Sequence, residues 1–274
     1  MDDELAALGR FSSEMELMLR SLRARPPGGA GVLATMPTMP IDWPTLLAVA
    51  QRNGVLAPLH GGLAGEAGVP QDVTRRLEKH VEANAARNRH LLAELSSLLD
   101  VLERRGVDVI PFRSSAVASP LAEIVDLDLL VRRRDVGAAA RVLLELRFEP
   151  EVPLGTAEAA SVLRTGFARK FVGPQRVVVS LQWAVAPAAE RMGSRLERLL
   201  AMRTTVSMGE RTVSSLAPPA MLHLLCLRGT LNRWHRLTWV RDVAGLLARM
   251  TAEEEELAWA QARATGSARA VGLG

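Results

Sequence analysis

Apolar residues recur at helical spacing through the first hundred positions and then change period. Leu5, Leu8, Met15, Met18, Leu19 and Leu22 share one face of a helix predicted over residues 3–24. Residues 25–40 (RPPGGAGVLATMPTMP) break that period with proline and glycine and predict a loop. Asp42 is placed to cap a helix running to Arg52, with Gly54 as its stop. A long helix is predicted over 71–105, where Leu91, Leu92, Leu95, Leu98, Leu99 and Leu102 keep the period and Gly106 ends it.

Beyond Gly106 the pattern shortens to that of strands. Residues 107–112 predict a strand, 113–119 (RSSAVAS) a small-residue turn, and 124–131 (IVDLDLLV) a second strand. Asp135 is the predicted N-cap of a helix over 136–146. Residues 168–172 and 177–183 predict a hairpin about Gly173-Pro174, and 204–206 with 211–214 another about Gly209. Pro218-Pro219 opens a helix, because proline suits the first turn. A helix over 234–250 follows, then one capped by Thr251 with Glu254 three residues on, a pair that satisfies two orphan donors reciprocally. The fold class is α+β: a helical region over 1–105, a mixed-sheet core over 106–216 and a helical region over 217–274.

The strand at 124–131 carries the chemistry. Asp126 and Asp128 stand two residues apart, so both project from one side of an otherwise apolar strand. Two adjacent carboxylates in oily surroundings are costly unless a cation relieves them. A hard oxygen pair suits Mg²⁺ (or Mn²⁺) carrying substrate phosphates. An edge strand with one solvated face is the bland alternative.

Charge and composition narrow the partners. The formal net charge is +4 and the pI about 10.3, with Lys79 and Lys170 the sole lysines among many arginines. The cations are not clustered, and the chain has no Tyr and five Phe, which argues against a nucleic-acid surface. Arg132-Arg133-Arg134 is the one dense basic run, a turn after a strand or a phosphate clamp. The single cysteine, Cys226, excludes a disulfide within the chain and reads as a core residue. The histidines lack metal-ligand spacing, and His80 and His90 are expected to be solvated on the long helix. The Met-Asp-Asp-Glu start lacks a basic leader and no stretch approaches a membrane span, so the cytoplasm is the expected location.

Three stretches together carry a resemblance: residues 42–55 (DWPTLLAVAQRNGV), 106–131 (GVDVIPFRSSAVASPLAEIVDLDLLV) and 233–247 (RWHRLTWVRDVAGLL). Their order and spacing resemble the uncharacterised bacterial nucleotidyltransferase-like family of the DNA polymerase β-type nucleotidyltransferase superfamily. The resemblance implies a small mixed sheet with flanking helices and Mg²⁺-dependent transfer of a nucleotidyl group from an NTP to an acceptor. It implies a two-metal clamp with Asp126 and Asp128 as the catalytic metal ligands, one ion activating the attacking hydroxyl and the other stabilising the departing pyrophosphate, and Arg113, Ser114 and Ser115 as the nucleotide-binding turn. The acceptor class stays open between small molecule, peptide and protein.

Departures from the family pattern are local. Arg113-Ser114 stands where members commonly have Lys-Gly, and Ser180 occupies the position of a third carboxylate. Glu123 is a candidate substitute for that acid. Two readings follow, an active transferase and a catalytically degenerate binding or accessory protein. Smaller candidates are Trp234, His235, Trp239 and Asp242 as helix-packing or pocket residues, Arg169 and Lys170 as triphosphate contacts or a solvated edge, and Asp108 as a support for the metal site or a solvent-facing acid.

Overall fold

The computed structural model describes residues 12–22, 33, 40–112, 122–153, 155–184 and 190–272. The chain forms two compact units. One comprises Met1–Ala86, Pro120–Glu123 and Arg236–Thr238; the other comprises Arg87–Ser119, Ile124–His235 and Trp239–Gly274.

The first unit is helical. Helix α1 (Ser13–Ser21) is capped by Ser12, α2 (Trp43–Asn53) by Asp42, and α3 (Leu56–Leu63) follows directly. Asp42 Oδ1 accepts from Thr45 N at 3.2 Å, and Gly54 closes α2 at φ +66°, a left-handed turn glycine takes without a Cβ penalty. Leu17, Met18, Leu46, Leu47, Leu59 and Leu63 are buried together with Val73 and Leu77 of α4 (Gln71–Arg104). Helices α1 and α3 touch backbone to backbone: a Cβ on Gly62 would lie 2.1 Å from the Ser21 carbonyl oxygen. Helix α3 has no counterpart among the elements predicted from the chain; its short apolar run LAPLHGGL lacks a side-chain cap to announce it.

Residues 122–123 are tied into this unit. Asn84 donates to the Ala122 carbonyl at 2.8 Å, and Glu123 Oε1 accepts from Ala57 N and meets His80 Nε2, each at 3.2 Å. His80 is therefore half-buried against a carboxylate, not solvated as expected; His90 is also half-buried.

The second unit is built on a five-stranded sheet in the order β1-β2-β5-β4-β3. Its strands are β1 (Val109–Pro111), β2 (Leu127–Val131), β3 (Glu149–Pro150), β4 (Ala168–Val172) and β5 (Val178–Gln182). The β2–β5 pair is parallel and the others are antiparallel. Alternation sends Leu127, Leu129 and Val131 to one face, with Val179 and Leu181 beside them. Helix α5 (Val136–Glu145) packs on β5 and buries Val136, Ala139, Val142 and Leu143. Asp135 occupies the N-cap position without capping through its side chain, because a 3₁₀ turn (Arg133–Asp135) precedes the helix and leaves Asp135 at φ −96°, ψ −5°. Helix α6 (Thr156–Thr165), absent from the predicted elements, follows β3.

The opposite face meets the C-terminal helices. Ile110, Phe112 and Leu130 join Leu196, Leu199 and Leu200 of α7 (Glu190–Ala201), Leu216 of β7 (Arg211–Leu216) and most of α8 (Pro218–Leu231) in one core. Strands β6 (Arg203–Met208) and β7 form the second predicted hairpin, turning at Gly209 with φ +64°. Helix α8 opens on Pro218 as predicted. Helix α9 (Leu237–Leu247) starts later than predicted: Arg233 and Trp234 have φ of +54° and +51°, which no right-handed helix accommodates. Trp234 and His235 therefore lie in the turn before it. The Thr251–Glu254 capping box forms on α10 (Ala252–Ala264), and α11 (Ala268–Val271) closes the core.

No helix among the described residues is long and apolar enough to cross a membrane.

Candidate functional site

Sheet register assembles the site. Asp128 pairs with Ser180 across β2–β5, and Ser180 pairs with Lys170 across β5–β4. Residues opposite one another share a face, so Asp128, Ser180 and Lys170 form one row. Asp126 lies two residues before Asp128, just ahead of β2, and Gln182 two beyond Ser180. All project to the side that holds Leu130 and α8. The apolar end of that face enters the core, and the polar end is the candidate site.

The carboxylates are neither splayed into solvent nor bare. Lys170 donates from Nζ to Asp126 Oδ2 at 2.7 Å. Gln182 donates from Nε2 to Asp128 Oδ1 at 2.5 Å and to Ser180 Oγ at 3.2 Å. Arg228 of α8 reaches Asp128 Oδ2 at 3.4 Å, and its guanidinium carbon lies 4.7 Å from the Phe112 ring centroid. The Asp128 side chain is 16% exposed and the Lys170 side chain 45%. The hydrogen bond it donates to Asp126 holds the Lys170 ammonium above its ordinary pKa, partly opposed by burial.

The remaining sequence candidates scatter. Arg113, Ser114 and Ser115 lie outside the described residues. Glu123 is engaged by Ala57 and His80 in the helical unit. Asp108 forms a two-pronged pair with Arg203, both contacts 2.7 Å, and the guanidinium holds its carboxyl below the usual range. Arg133 donates to the carbonyls of Leu163 and Arg164 at the end of α6, which ties the middle of the basic run to that helix. Arg169 stacks at 5.4 Å from the Phe171 ring centroid, on the opposite face from Lys170. The Trp234 ring packs over Gly229, while His235 meets Trp239 edge-on at 5.0 Å. Asp242 lies 4.0 Å from Arg241. Cys226 is a buried core residue of α8, as expected.

Gln182 and Arg228 escaped the sequence reading. Gln182 had a signal: it is two residues from Ser180 on the same predicted strand. Arg228 had none, because its place depends on how α8 docks.

The donor set can be tested against a divalent ion. Among the described residues no group of three or more His, Cys, Asp or Glu side chains is placed to hold one. Two carboxylates at i and i+2 fit a single hard cation that takes its other ligands from water and phosphate. They do not fit a two-ion clamp, for which Ser180 offers a hydroxyl in place of a carboxylate.

Among solved structures, an antigenic nucleotidyltransferase-like protein from Paracoccidioides brasiliensis is 16% identical, with 66% of this chain and 92% of that one covered and a TM-score of 0.39. No curated protein matches the chain. The family model described as uncharacterised nucleotidyltransferase matches residues 39–274. With a mixed sheet whose second strand opens on the Asp-x-Asp pair, and a family match over most of its length, the chain belongs to the uncharacterised nucleotidyltransferase family.

Proposed function

We propose that the protein binds an NTP together with one Mg²⁺ or Mn²⁺ at Asp126 and Asp128 and transfers its nucleotidyl group to a hydroxyl-bearing acceptor. The supporting observation is the polar row on the sheet: Asp128 on β2 and Asp126 just ahead of it, flanked by Ser180, Gln182, Lys170 and Arg228. A bound divalent ion would supply Lewis-acid charge to the phosphate oxygens. Asp126 and Asp128 would hold it. Lys170 and Arg228 neutralise charge on the triphosphate, and Gln182 keeps the Asp128 carboxylate oriented. In the transfer, the acceptor oxygen bonds to the α-phosphorus as the bond to pyrophosphate breaks, and the hydroxyl proton passes to solvent. Arg113, Ser114 and Ser115 remain the proposed phosphate-side turn.

A thermal-shift screen of the four NTPs, with and without Mg²⁺ or Mn²⁺, tests the reading. Metal-dependent stabilisation by at least one NTP is expected, and Asp126→Asn and Asp128→Asn should abolish it. Equal stabilisation of wild type and both variants removes the assignment.

Ser180 favours a second reading, a nucleotide-binding accessory protein without turnover. It stands opposite Asp128 where the superfamily pattern calls for an acid. Pyrophosphate release with any acceptor eliminates this second reading.

A further inference from the structure

The carboxylate pair brings its own counter-charge. Asp126 and Asp128 face two cations from separate elements, Lys170 of β4 and Arg228 of α8. The two partnerships differ in kind. Lys170 is a long, half-exposed side chain whose ammonium swings away at little cost. Arg228 is held by packing: its guanidinium lies over Phe112, and Phe112 itself is buried in the core. Stacking engages the face of a guanidinium, whereas carboxylate and phosphate oxygens are bound through its edge. Asp128 is equally committed, with Gln182 on one oxygen and Arg228 near the other. A second divalent ion would require Asp128 and a further acid, and the neighbouring position in register is Ser180.

We infer that Arg228 is a resident phosphate-binding cation that takes the electrostatic place of a second divalent ion. The site then takes up one divalent ion per NTP, and that ion displaces Lys170 from Asp126. This inference rests on the nucleotide-binding reading above.

Equilibrium dialysis of the full chain with Mn²⁺ and nonhydrolysable analogues of the four NTPs tests it, with free Mn²⁺ counted by its EPR signal. The expected result is one Mn²⁺ per bound nucleotide in the wild type. Arg228→Met should weaken nucleotide binding about tenfold or more, the loss of a charge-assisted contact, and Arg228→Lys should recover part of it. Two Mn²⁺ per nucleotide in the wild type overturns the inference while leaving nucleotide binding intact, and needs no variant to fold. Unchanged affinity in a folded Arg228→Met chain overturns it as well. If the wild type takes up no nucleotide with Mn²⁺, the underlying reading falls, and the role of Arg228 with it.

Discussion

Asp128 and Arg228 are 100 residues apart in the chain and 3.4 Å apart in the fold. Strand β2 supplies the acid and helix α8 the base. Their meeting joins the sheet to the C-terminal core at the point where the candidate site opens. Asp126, two residues away, is joined to the half-exposed Lys170 of β4.

That asymmetry predicts unequal costs. Asp128→Ala leaves Gln182 Nε2 and Arg228 facing a lost acceptor in partly buried surroundings, and should destabilise the protein by about 2–3 kcal/mol. Asp126→Ala removes a pair with an exposed lysine and should cost less than about 1 kcal/mol. Urea denaturation of both variants without metal or nucleotide measures the difference. Equal losses would show that packing around Asp128 does not hold its partners in place.

Gly229 lies one residue beyond Arg228 and beneath the Trp234 ring. A Cβ there would lie 2.4 Å from two ring carbons. Overpacking of this kind costs about 1–3 kcal/mol, more than the roughly 1 kcal/mol that alanine gains over glycine in a helix. Gly229→Ala should therefore lower stability, with a change in tryptophan emission as Trp234 is pushed aside. Thermal unfolding followed by fluorescence checks both.

The Asp108–Arg203 pair sets an acid limit on stability. The Asp108 pKa is lowered in the folded protein relative to its ordinary value of 3.8, chiefly by the hydrogen-bonded guanidinium. A depressed acid stabilises the fold fully above its unfolded pKa, and that contribution is lost as pH falls through the folded value. Stability should decline below about pH 4, and Asp108→Asn should reduce the part of that decline due to this pair. Denaturation midpoints across pH 2 to 6, on the order of one point per half unit, provide the comparison. An identical acid slope in the variant contradicts the assignment.

Cys226 should be chemically silent in the native state. It is buried on α8, and burial pushes its thiol up to about 11. The thiolate is the reactive species, so a thiol reagent near neutral pH should label the chain only as it unfolds. Rapid labelling of the folded protein would place Cys226 outside the core.

Local chemistry was readable wherever one segment satisfies its own needs. The Asp42 and Thr251 caps, the Gly54 and Gly106 stops, the proline start of α8 and both hairpins follow from neighbouring residues alone. Departures arose where local signals were silent or outweighed. Helix α3 lacks a side-chain cap, and α6 is capped by Glu158 reaching back to Gly155 N without a Ser, Thr, Asp or Asn at the N-cap to announce it. The helix expected from residue 234 begins at Leu237 because Trp234 turns back to cover Gly229. His80, expected in solvent, found Glu123 43 residues away.

The amino-acid sequence by itself determined that two carboxylates stand two positions apart where an apolar strand begins, and alternation along the extended backbone fixes the face that Asp128 takes. It also determined the α+β class and the single buried thiol. Tertiary structure alone decided what those carboxylates meet. The parallel register of β2 with β5 put Ser180 and Gln182 beside them, the β4 hairpin brought Lys170, and the docking of α8 brought Arg228. Those neighbours are chosen by packing of apolar faces distant in sequence, and no local pattern of residues encodes which side chains such packing will bring together.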